Sequence, residues 1–146
     1  MVWLRVPLVL LLCAGAVVLA LGLDRGPGKP VATKYGSTTQ GLAFELHLDA
    51  DERPVSFDTT LIARCPDGRS ISMPWVPVDG DGVVFRRDGD RLLVTESGDG
   101  WRLSMDATLT GSGALSGVAR LAVHLTPRGR AAIDCTSPRV RVTAGR

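Results

Sequence analysis

Histidine is nearly missing from this chain: His47 and His124 are the only two in 146 residues. That scarcity leaves few general bases for any hydrolytic mechanism. No G-x-S-x-G elbow, H-E-x-x-H pair, phosphate-binding loop or dinucleotide glycine pattern occurs, so the usual nucleophile, zinc and nucleotide signatures are absent. Lysine is confined to Lys29 and Lys34. The other basic residues are arginine, a bias that a GC-rich coding genome explains as readily as guanidinium chemistry, and no functional conclusion is drawn from it. A surplus of one charge is lacking too. The whole chain carries a formal +2, and without Arg5 and its leader the basic and acidic residues nearly cancel, which excludes the basic field expected of a nucleic-acid or anionic-membrane binder. Past Gly36 there is no helical stripe and no repeat of fixed length, so solenoids and propellers are excluded as well.

What the chain does have is an apolar run over residues 6–23, bounded by Arg5 on one side and by Asp24 and Arg25 on the other. A signal-peptide core spans about 7 to 15 residues and a membrane span about 20, and this run falls between them. Val18-Leu19-Ala20 offers a cleavage site, yet the apolar character continues through Leu21 and Leu23. Residues 1–23 are therefore read as a signal peptide or an N-terminal membrane anchor, with a transmembrane helix in the second case. Cys13 is not read as a lipid attachment site, because Leu12 stands where lipoprotein processing needs a small residue. Arg25, Lys29 and Lys34 outnumber Arg5 across the run, which by the positive-inside rule favours a cytoplasmic domain. They are spread out and diluted by Asp24, and the cysteines outweigh them.

Two cysteines, Cys65 and Cys135, follow the leader. In an exported domain such a pair is most simply a disulfide, with two separate buried thiols as the alternative. A bridge closing so long a loop is worth about 4 kcal/mol in the chain-entropy model. Cys65, Cys135, His47 and His124 have the chemistry of metal ligands, but no C-x-x-C or H-x-x-x-H spacing supports a zinc site. No metal and no cofactor is expected. The location is read as extracytoplasmic, either secreted or anchored to the outer face of the cytoplasmic membrane.

Residues 24–35, with Gly26-Pro27-Gly28 and Pro30, read as a linker. Residues 36–146 read as one domain, since their number suits a single modest core. Apolar residues here alternate with period two, broken by Gly, Asp and Pro clusters, which predicts an antiparallel all-β domain. The inward rows are Leu42, Phe44, Leu46 and Leu48; Val55, Phe57, Leu61, Ala63 and Cys65; then Ile71, Met73 and Trp75 on a strand that Pro74 and Pro77 mark as an edge or crossover. Val83 with Phe85, then residues 92–95, make two short strands. Trp101, Leu103, Met105, Ala107 and Leu109 alternate most cleanly and pair back onto Leu115, Ala119, Leu121, Val123 and Leu125. Ile133 with Cys135, and Val140 with Val142, close the chain. Eight or nine strands with short loops suggest a meander-like antiparallel β-sandwich or a partly closed barrel.

Few side chains invite chemistry. By parity His47 and His124 face away from their apolar rows, toward solvent. Asp49, Asp51 and Glu52 share one loop, and Asp79-Gly80-Asp81-Gly82 opens like a calcium loop. Val83 then stands at the next ligand position, and Asp-Gly is ordinary hairpin chemistry, so turns are the better reading. Trp101 shares parity with the core. Trp75, flanked by prolines, is the residue expected to contact a ligand.

The order of motifs resembles a group of small exported bacterial β domains with no established activity. The resemblance lies in Gly36-Ser37-Thr38-Thr39-Gln40-Gly41, Cys65-Pro66-Asp67-Gly68, the Gly113 and Gly117 pair opening a strand, and Cys135 ahead of Val140. It implies a sandwich and a disulfide and supplies no catalytic residue. The expectation is a non-catalytic envelope module that binds a surface protein or polysaccharide. Two alternatives stand: a small envelope-polymer hydrolase, needing His47 or His124 beside a carboxylate in a cleft, and a structural surface protein without a ligand.

Overall fold

Alternating burial runs through this chain because its strands each expose one face. In the computed structural model residues 28–78, 83–111 and 113–145 are described. The leader, Cys13, the first four residues of the expected linker and the Asp79-to-Gly82 segment lie outside them. The described residues form ten strands: β1 (Ala32–Thr38), β2 (Ala43–Leu48), β3 (Pro54–Arg64), β4 (Ser70–Trp75), β5 (Val84–Asp88), β6 (Arg91–Gly98), β7 (Trp101–Leu109), β8 (Leu115–Leu125), β9 (Ile133–Thr136) and β10 (Val140–Ala144). Every pairing is antiparallel. Each strand from β2 onward coincides with an expected apolar row. β1 does not: it begins inside the expected linker, at Ala32, and takes its order from hydrogen bonding to β2 and β10 rather than from an apolar pattern.

The strands belong to one connected sheet rather than to two separate layers. Six of them, in the order β1, β2, β3, β9, β8 and β10, return on themselves as a small barrel, because β10 bonds both to β1 and to β8. The expected sandwich is corrected in this respect. β4 extends outward from β3, while β7, β6 and β5 extend from β8. These outer strands still face one another as sandwich layers do. The Phe57 ring of β3 meets Trp75 of β4 edge-on at 4.7 Å and approaches Phe85 of β5.

Two polar residues complete the barrel wall where strands fall short. Beyond the last β2 pair with β3, the Gln40 side chain donates to the Ile62 carbonyl at 2.8 Å and accepts from its N–H at 2.9 Å. On β8, between the stretches paired to β10 and to β9, Ser137 bonds Leu121. Its N–H donates to the Leu121 carbonyl, and its hydroxyl accepts from the Leu121 N–H. In a barrel this small, strands approach closely. Gly36 of β1 faces the β10 backbone so tightly that a Cβ would collide with the Thr143 carbonyl.

The inward rows form one continuous core, including Phe44, Leu46, Phe57, Leu61, Val94, Leu121, Val140 and Val142. Each fully buried Leu, Val or Phe stabilises the fold by about 1.5–3 kcal/mol. Cys65 and Cys135 are bonded, 70 positions apart in sequence, and both are buried. Their position matters. β3 and β9 share a single registered pair, Arg64 with Thr136, and the disulfide crosses the joint one residue further on.

Candidate functional site

The residues of opposite parity to the core line the outer face of β6, β7, β8 and β9. Strand register sorts them into rows. Leu93, Asp106 and Val118 lie side by side, then Thr95, Ser104 and Arg120, then Ser97, Arg102, Ala122 and Thr136, then His124 with Asp134. From Val118 to His124 this face runs about 20 Å at the usual strand rise. It is hollowed in two adjoining places. One hollow, of about 360 Å³, has Leu93 and Val118 as apolar floor on either side of Asp106, with Thr95, Ser104, Arg120 and Arg139 around it. The other, of about 510 Å³, lies between Trp101, Arg102, Ala122, His124, Asp134 and Thr136. Ser104 follows Arg102 by two positions on β7, and Ala122 follows Arg120 by two on β8, so the hollows adjoin along one open face, called the channel below.

Its electrostatics are uneven. Arg91 grips both oxygens of Asp106, with Nε to Oδ1 at 2.9 Å and Nη2 to Oδ2 at 2.7 Å. That hydrogen-bonded fork holds the Asp106 carboxyl below the usual carboxylate range. Among the described residues, Arg102, Arg120 and Arg139 form no ion pair. At the far end, His124 Nδ1 lies 2.7 Å from Asp134 Oδ1. The channel thus offers free guanidinium groups, hydroxyls from serine and threonine, and a short apolar floor. It can hold a polar chain laid along the strands.

The other expected residues fall elsewhere. Trp75, expected to meet a ligand, is only 2% exposed, and its indole N–H donates to Glu96 Oε2 at 2.8 Å. It is a core residue, packed edge-on against Phe57 and tied to Glu96 of β6. Trp101 is half-buried against the core and closes one end of the channel. His47 Nδ1 lies 3.0 Å from Thr33 Oγ1, while Asp58 stays 3.8 Å from its Nε2, beyond hydrogen-bonding distance. The strands bearing the two histidines are not neighbours. Asp49 serves its turn, accepting from the N–H groups of Asp51 and Arg53 at 2.9 Å each. Asp67 does likewise with the Arg69 N–H, and its ion pair with Arg69 holds the carboxyl below the ordinary range.

Arg102, Arg120 and Arg139 were the residues that sequence reading passed over. The parity of β7 and β8 already puts Arg102 and Arg120 opposite the core rows, but only the fold shows that Arg139, from the connection before β10, reaches the hollow of Arg120. No family model, curated protein or solved structure matches this chain.

Proposed function

We propose that the protein is a non-catalytic extracytoplasmic module, secreted or held by residues 1–23 at the outer face of the cytoplasmic membrane, that binds an envelope polysaccharide along the channel over β6 to β9. The carrying observation is the open channel itself: a polar groove on rigid strands, with unpaired arginines beside hydroxyls and a narrow apolar floor. Protein partners are held mainly by bulky apolar or aromatic anchors in deep pockets. Here the large exposed apolar residues, Val31, Tyr35, Val76 and Val78, lie away from the channel, which favours polysaccharide over protein as its occupant. The resemblance to exported bacterial β domains supports the same setting.

The hydrolase reading has one observation in its favour, the His124 and Asp134 pair at the channel's end. A histidine-activated nucleophile needs a hydroxyl or thiol bonded to the base, and among the described residues no such group bonds to His124. The test is retention of the purified protein on isolated envelope material before and after exhaustive proteinase digestion of that material. Binding that survives digestion, with polymer length unchanged on size-exclusion chromatography, is the expected result. Loss of binding on digestion would assign the channel to a protein, and shortening of the polymer would assign catalysis.

A further inference from the structure

The hollow over β6 to β8 has a feature that a neutral sugar chain does not require. Arg120 rises from β8, whereas Arg139 comes from the connection between β9 and β10, and both line the same concavity. Two guanidinium groups lining one hollow from separate elements give it a positive potential that favours an anion between them. Among the described residues the one carboxylate lining this hollow is Asp106, and Arg91 bonds both of its oxygens. Arg91 therefore cancels the charge that would otherwise satisfy Arg120 or Arg139 and keep out an anion.

We infer that the channel binds an anionic polysaccharide, with a carboxylate, sulfate or phosphate substituent held between Arg120 and Arg139. The inference rests on the polysaccharide reading above and adds the charge of the ligand. A planar guanidinium offers paired N–H donors that match the two oxygens of such a group. Beside it, Thr95 and Ser104 present hydroxyls to sugar hydroxyls, and Leu93 and Val118 form the floor beneath a ring. Single-stranded nucleic acid, the other polyanion, is bound on stacked aromatic platforms. No aromatic residue lines this hollow.

The test measures binding of the purified protein to polygalacturonate, dextran sulfate, neutral dextran and inorganic phosphate by calorimetry. The wild type is compared with Arg120→Ala, Arg139→Ala, the double variant and, as an arginine outside the channel, Arg53→Ala. These side chains are exposed, so melting temperatures should stay unchanged. Each single channel variant is expected to weaken binding to at least one charged polymer by about tenfold, the loss typical of one charge-assisted contact. The double variant should bind that polymer no better than neutral dextran, while Arg53→Ala leaves its binding intact. Equal affinity for charged and neutral dextran, unmoved by the channel variants, would overturn the anionic inference and leave the polysaccharide reading standing. Inorganic phosphate binding as tightly as any polymer would overturn it in favour of a free anion. Failure of every polymer, together with failure to retain the protein on digested envelope material, would overturn both.

Discussion

Trp75 connects an outer strand to the opposite arm of the sheet through one indole. Its ring packs edge-on against Phe57, and its N–H reaches the Glu96 carboxylate of β6. Replacing it by Phe keeps most of the packing and removes the donor, leaving a half-buried carboxylate short of a partner. Such a loss costs about 2 kcal/mol, so Trp75→Phe should lower stability by that amount in urea unfolding, while Glu96→Gln, which keeps an acceptor, should cost less. Polymer binding should be unaffected by either. The parity of Ile71, Met73 and Trp75 already pointed this residue inward. The flanking prolines obscured it, because the partners that hold Trp75, Phe57 and Glu96, lie 18 and 21 positions away in the chain, and no local pattern reports them.

The strands from β2 to β10 were legible because a half-buried strand alternates its side chains in full view of the sequence. β1 was not, since Ala32, Thr33, Lys34 and Tyr35 carry no apolar row, and their extended form comes from two neighbours distant in sequence. The channel was half legible for the same reason: consecutive hairpins set the register of β6, β7, β8 and β9, whereas the loop bearing Arg139 reaches the hollow only through the folded chain. Across β6 and β7 the Arg91 and Asp106 pair gives this face a pH signature. Because the folded-state carboxyl is held below its unfolded value, the pair's contribution is fully present above about pH 4 and is lost as pH falls through the folded value. Asp106→Asn should therefore melt below the wild type at pH 7, and the gap should close toward pH 2. The pair is exposed, so the gap is small and calls for calorimetry at low salt.

At the scale of the molecule, the barrel is a ring whose least paired joint lies between β3 and β9. One registered pair and the Cys65–Cys135 bond hold it. The cysteine pair was readable from composition alone. Its placement at the joint was not, because pairing across 70 positions leaves no local trace. Replacing both cysteines by Ala should lower unfolding free energy by about 4 kcal/mol and raise hydrogen exchange first in β9, at one wall of the channel.

Gln40 and Ser137 carry a consequence beyond filling gaps. Each grips the N–H and the carbonyl of a single residue, Ile62 and Leu121, and in a strand those two groups point to the same side only at every second position. A shift of one position would turn them away and carry the whole apolar row to the solvent face. The two residues thus act as index marks, fixing the count of residues around the ring and, with it, which arginines line the hollow.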